Sequence, residues 1–221
     1  MRYNSIFDII GPVMVGPSSS HTAGAARIGK TTRNIFGRVP TRAEITLYGS
    51  FAQTYRGHGT DLALVGGILN LNANDENIVR SFQIAKDFGV EIIFKTVAEE
   101  SDYHPNTARV CLSDSKGSLE VVGISVGGGK ITITEIEGFK ISLSGDSPTL
   151  LVFHHDRFGA IAKVAQVLAC NEINIGHMEV ARRSRGDQAL MVIETDQDLT
   201  NETIKAVKRI DPEYRIALII P

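Results

Sequence analysis

A chain of 221 residues with 43% hydrophobic and 22% charged residues has the make-up of a globular protein of one large or two smaller domains. A formal net charge of -2 gives no basic footprint for nucleic acid, and no stretch approaches a membrane span, which leaves small molecules or proteins as partners. Two cysteines, Cys111 and Cys170, lie far apart outside any CxxC unit; they fit a reduced, cytoplasmic setting and are too few for the four thiolates of a cubane iron-sulfur cluster.

In chain order, the apolar run after Met1-Arg2-Tyr3-Asn4-Ser5 is interrupted by Asp8 and ended by Gly11-Pro12, so no secretory core is expected there. The run Gly16-Pro17-Ser18-Ser19-Ser20-His21-Thr22-Ala23-Gly24 sets three hydroxyls and an imidazole behind a Gly-Pro turn. It precedes a Pro-free segment, Ser20 to Phe36, that predicts a weakly amphipathic helix ended by Gly37. One hydroxyl suffices to cap a helix, worth about 1 kcal/mol. The surplus, beside N-H groups at the positive end of a helix dipole, fits a bound carboxylate or phosphate. The same dipole would keep His21 neutral. Plain capping with a fortuitous histidine is the alternative. Gly24-Ala25-Ala26-Arg27-Ile28-Gly29-Lys30-Thr31 matches the P-loop expression, but no buried strand abuts Gly24 and the helix has already begun, which argues against nucleotide hydrolysis.

Arg42 to Phe51 alternates as a strand, Thr60 is placed to cap a helix through Leu71, and a second helix from Glu76 to Phe88 stops at Gly89 before a strand from Val90 to Val97. Gly57-His58-Gly59-Thr60-Asp61 sets an imidazole between two glycines, where the backbone can approach a ligand closely; an exposed turn histidine is the plainer reading. His104-Pro105-Asn106-Thr107 forms a third polar knot ahead of four β-prone runs between Thr107 and Leu143, which predict an antiparallel sheet. Gly145-Asp146-Ser147-Pro148 reads as a linker, dividing the chain into domains 1–144 and 148–221.

The remainder predicts strand, helix, strand, strand, helix, strand: Thr149 to His155, Gly159 to Cys170, Ile173 to Arg183, Gln188 to Thr195 after an Arg185-Gly186-Asp187 turn, a helix capped by Thr200, and Tyr214 to Ile220. This βαββαβ order is ferredoxin-like, so the expected class is α+β: an N-terminal α+β domain followed by a ferredoxin-like domain. His154 and His155 alternate faces and His177 sits within a strand, which fits structural or regulatory roles. The turn Asp156-Arg157-Phe158-Gly159 and the Asn174-Ile175 strand start resemble an ACT domain, a regulatory module. That resemblance implies amino-acid binding near the first turn and self-association.

GPSSSHTAG at 16–24, GSFAQTYRGHGTD at 49–61 and HPNT at 104–107, followed by the ACT-like segment, together resemble the β chain of bacterial iron-sulfur-dependent L-serine dehydratases over essentially the whole chain. The resemblance implies β-elimination from L-serine to give pyruvate and ammonia, with a [4Fe-4S] cluster held by the cysteines of a partner α chain and no metal ligand on this one. It assigns Ser18, Ser19, Ser20 and Thr22, with His104 and Asn106, to the substrate, and His21 and His58 to proton handling or orientation. The reading QTYR at 53–56 departs from the commonest form of the second motif and leaves its local contacts open. A regulatory amino-acid-binding protein without catalysis is the competing reading; only the enzyme requires a cysteine-bearing partner.

Overall fold

The structure is a computed structural model that describes residues 13–97 and 102–221; the stretch read against a secretory core, 1–12, lies outside them. The chain forms two compact units, Met1–Gly138 and Phe139–Pro221. The division precedes the strand Phe139–Leu143, whereas the expected linker follows it.

The first unit opens on a π-helical turn, Ser19–Ala23, that runs into helix α1, Gly24–Phe36, closed by Gly37 in the left-handed conformation. Strand β1 spans Arg42–Tyr48 and stops short of the expected Phe51, because Gly49–Thr54 turns into a short helix, α2. Helix α3, Thr60–Ile68, follows the 57–59 segment, and a 3-10 turn, Glu76–Arg80, leads into α4, Ser81–Asp87. Strands β2 (Glu91–Val97), β3 (Thr107–Asp114), β4 (Gly117–Gly127) and β5 (Lys130–Ile136) complete the unit.

These strands lie in the order β2-β1-β3-β4-β5. β1 pairs with β2 in parallel and with β3 antiparallel, so Ile45 stands between Phe94 and Val110. β3, β4 and β5 pair antiparallel, as the runs after Thr107 predict, while β2 returns beside β1 through the helical crossover α2 to α4, the connection that a parallel pair requires, so the sheet is mixed. Alternation buries Ala43, Ile45 and Leu47 of β1 and Ala108, Val110 and Leu112 of β3 beneath the helices, whose apolar faces include Ile28, Ile35, Leu64 and Ile68. Each fully buried Val, Leu or Ile among them contributes about 1.5 to 3 kcal/mol.

In the second unit, strand β6 (Phe139–Leu143) precedes β7 (Thr149–His155), α5 (Ala160–Cys170), β8 (Ile175–Arg182), β9 (Gln188–Thr195), α6 (Asn201–Ile210) and β10 (Arg215–Ile219). The sheet order β10-β7-β9-β8 is the ferredoxin-like one that the βαββαβ reading requires. Its core joins Leu150, Val152, Met191 and Ile193 to Val164, Leu168 and Val207 of the helices. The Thr200 hydroxyl caps α6 by accepting the Thr203 N-H at 3.2 Å, as its sequence position predicts. Both units mix helices with sheet, in agreement with the α+β class. No helix among the described residues is long and apolar enough to cross a membrane.

Candidate functional site

The π-helical turn carries the first motif. A π-turn inserts one extra residue into a helical repeat and recurs at functional sites. Ser18 caps it: the Ser18 hydroxyl accepts the His21 N-H at 3.2 Å and the Ser18 carbonyl accepts from Thr22 N at 2.8 Å. Ser19 closes it through its carbonyl, which accepts from Gly24 N. Ser18 Oγ and Ser20 Oγ each lie 3.3 Å from His21 Nδ1 and 3.3 Å from one another, a triangle of two hydroxyls and a ring nitrogen. The other ring nitrogen is met by Ser50, whose Oγ is 3.1 Å from His21 Nε2.

The second motif reaches the same ring. Gly49 has φ +53, a conformation that a side chain resists, and a Cβ there would lie 2.6 Å from Pro105 Cα. This close passage lets β1 turn into α2, where Phe51 N donates to Pro105 O at 3.1 Å and the Phe51 ring sits 5.2 Å from that of His21. His58 follows: its ring stands 4.8 Å from His21, centroid to centroid, at 89°. The buried Thr22 hydroxyl donates to His58 O at 3.1 Å, a bond that ties the first motif to the second. His58 Nδ1 is buried without a hydrogen-bond partner among the described residues.

The third motif arrives through its backbone and Asn106. His104 is exposed; its Nδ1 accepts Asn106 N-H at 3.1 Å and its carbonyl accepts the Thr107 hydroxyl at 2.7 Å, which shapes the turn. Asn106 Nδ2 donates to Ser125 O at 3.4 Å. Of the eight residues expected at the site, the structure gathers Ser18, Ser20, His21 and His58 around one pair of rings, with Ser19 in the same turn. Thr22 and Asn106 tie this centre to its neighbours, and His104 faces its own loop.

His21 has its pKa held below the ordinary 6.5, the direction expected, with burial the main cause and the nearby His58 the second. One expectation about capping is corrected. Thr60 does not cap α3: Gly59, left-handed, holds the cap position, and the Thr60 hydroxyl is buried without a partner among the described residues. The Asp61 carboxyl accepts Leu62 N-H at 2.8 Å, and burial pushes its pKa up. The P-loop likeness finds no support, since Lys30 lies within α1 and donates to Asn72 Oδ1 at 2.9 Å.

Sequence reading passed over Ser50 and Phe51, which lie inside the second motif, and Ser125, which belongs to none. The signal for Ser50 was its place straight after the Gly49 turn; Ser125 has no local signature.

In the second unit, the Asp156 carboxylate accepts Gly186 N-H and Arg182 Nη1, each at 3.1 Å, and these bonds hold its pKa down. Arg157 lies 3.8 Å from Asp211 and 3.9 Å from Glu213, Phe158 is fully exposed, and left-handed Gly159 starts α5. Asn174, bonded to Gln197 and Asp196, and Ile175 lie at the opposite end of the sheet, where Thr149 pairs with Glu194, so the structure does not bring the two regulatory groups together. His154 is buried against Tyr214, His155 faces Gln188, and His177 is exposed on β8.

Among the described residues, no three His, Cys, Asp or Glu side chains are placed to hold a metal ion, and Cys111 and Cys170 fall in different units. These side chains do not fit a four-thiolate cluster.

The serine dehydratase beta chain family model matches residues 5–136 and the ACT domain model residues 148–212, so β6 falls between the two. The chain is similar to the probable L-serine dehydratase, beta chain, of Bacillus subtilis (strain 168), with 55% identity over 95% of each chain. It is also similar to the L-serine dehydratase, beta chain, of Peptoniphilus asaccharolyticus, with 39% identity over 92% of each. A D-3-phosphoglycerate dehydrogenase of Bacillus subtilis (strain 168) shares 27% identity over 71% of this chain and 30% of its own length.

Proposed function

The chain belongs to the serine dehydratase beta chain family, and on that premise we propose that it is the substrate-side subunit of an L-serine dehydratase. The observation that carries this reading is the meeting of two sequence-distant motifs at the His21 and His58 pair, with the third, at 104–107, braced against the second through Pro105.

In the reaction, L-serine loses its α-proton and its β-hydroxide, together one water; the aminoacrylate so formed tautomerises to an imine, which water hydrolyses to pyruvate and ammonia. The hydroxyls of Ser18, Ser19 and Ser20 bind the substrate carboxylate, a use consistent with their surplus over what capping needs. His21 and His58 hold or move the proton. A lowered pKa keeps the His21 ring neutral near pH 7, the form that accepts one, and hydroxyls on both ring nitrogens fix its plane. Thr22, Asn106 and the His104 turn keep the loops in register around the substrate. The four-thiolate cluster belongs to a partner α chain, in keeping with the lack of fit of Cys111 and Cys170.

The second unit acts as a sensing module that self-associates, and the enzyme works in the cytoplasm. Anaerobic co-purification with the α chain, followed by iron analysis and a pyruvate assay, tests the reading. The pair should form pyruvate from L-serine and this chain alone should not. Pyruvate formation by the isolated, iron-free chain would overturn it.

A further inference from the structure

The polar group that joins the loops of the site is Ser125, near the end of β4. Its side chain is fully buried, and its Oγ donates to the Ser20 carbonyl at 2.8 Å. The same peptide unit carries the His21 N-H, which donates to Ser18 Oγ at 3.2 Å. A peptide is planar, so a bond to its oxygen from one side and to its N-H from the other fixes the plane from which His21 projects. Ser125 also bonds to Asn106 twice through its backbone: its N-H donates to Asn106 O at 3.0 Å and its carbonyl accepts Asn106 Nδ2 at 3.4 Å. β4 loses register with β5 between Ser125 and Gly127, so Ser125 sits where the regular ladder gives way.

Packing adds a second constraint. A Cβ at Gly24, the first residue of α1, would lie 2.1 Å from Ser125 Oγ, so the absence of a side chain at position 24 makes room for this hydroxyl. A serine used only to fill space would not need an aimed donor; here the hydroxyl reaches the one carbonyl whose peptide leads into His21.

We propose that Ser125 is a positioning residue of the site, setting the orientation of His21 through the Ser20 carbonyl while anchoring the 104–107 loop. The proposal rests on the dehydratase reading for its kinetic consequence, but not for its structural one.

Two measurements on the full chain separate these. In the isolated chain, the ring nitrogen resonances of His21 should move in Ser125→Ala, while those of exposed His177 stay in place. In the enzyme assembled with its α chain, Ser125→Ala should lower kcat by about 10-fold or more, the scale on which small misplacements act, with KM changed far less. In a His21→Ala background the same substitution should cost almost nothing further. Gly24→Ala displaces the hydroxyl from the other side and should move the His21 resonances too, which keeps the test open if Ser125→Ala does not fold. Unmoved His21 resonances in either folded variant would overturn the proposal, as would a kcat within twofold of wild type in Ser125→Ala. An inactive wild-type assembly would instead count against the dehydratase reading.

Discussion

The rings of His21 and His58 stand edge to face with centroids 4.8 Å apart, although they come from different loops. The arrangement puts the edge of one ring against the face of the other, and two imidazolium cations at that distance would repel. Burial, with the charge of His58 second, holds the His21 pKa below its ordinary value, so the His21 ring is neutral near pH 7. His21→Ala and His58→Ala should each lower kcat/KM of the assembled enzyme by about 100-fold or more, the scale of a positioned acid or base. The double variant should lose much less than the product of the two single losses. Steady-state kinetics with melting curves alongside would check this, and near-normal activity in both single variants would mean that the rings only decorate turns.

A pH dependence follows from the same geometry. Burial, and then the charge of His58, hold the His21 pKa below its ordinary 6.5, so the neutral ring persists to lower pH than in a free chain. The acid limb of kcat/KM should fall below about pH 6.5 and move upward, without reaching 6.5, in His58→Phe, since burial remains. The sign for stability agrees. The unfolded chain protonates His21 first, so this group has no effect on stability well above pH 6.5 and weakens the fold as pH drops from 6.5 through the lowered folded value. An acid limb at or above 6.5 that is insensitive to His58 would contradict the assignment.

What the sequence made legible was whatever had a local cause. The ferredoxin-like unit could be read strand by strand because apolar alternation, the Arg185-Gly186-Asp187 turn and the Thr200 cap are all short-range signals. Gly37 and Gly89, both left-handed, ended their helices as expected. The parallel pairing of β2 with β1 was not legible, since no local pattern tells a crossover from a hairpin at that range. At the site, the Ser18 to Thr22 cluster and His58 announced themselves through residue type and flanking glycines. Ser125 did not, because its importance comes from meeting Ser20, which lies 105 positions away. Thr60 misled for a related reason: Thr is a good cap by propensity, but the left-handed Gly59 already occupies that place.

Gly49 offers a test of how the second and third motifs are held together. Its φ of +53 and the 2.6 Å approach that a Cβ would make to Pro105 Cα mean that Gly49→Ala must both strain its own backbone and push the 104–107 loop aside. The neighbour is backbone and cannot swing away as a side-chain tip would. Gly49→Ala should cost on the order of 1 to 3 kcal/mol in unfolding free energy. It should also lower kcat/KM, because Ser50 and Phe51, which contact the His21 ring, follow directly. Denaturant unfolding and kinetics of the same preparation check both. Unchanged stability would show that the turn accommodates a side chain.

The last prediction concerns what the second unit is for. Every residue placed around the His21 and His58 pair, from Ser18 through Ser50 and Asn106 to Ser125, lies in the first unit, Met1–Gly138, which has its own buried core. A chain ending at Gly138 should therefore fold, present the site and assemble with the α chain. If the second unit senses a metabolite, its removal should change the response to that metabolite, the size of the assembly or the apparent KM more than it changes kcat, because deleting a bias between states leaves the reacting groups in place. Kinetics of full-length and truncated assemblies, with mass measured alongside, decide the matter. Loss of all turnover in a truncated assembly of the correct size would instead require residues of the second unit in the chemistry, with His154, buried beside Tyr214, and exposed His177 the first to examine.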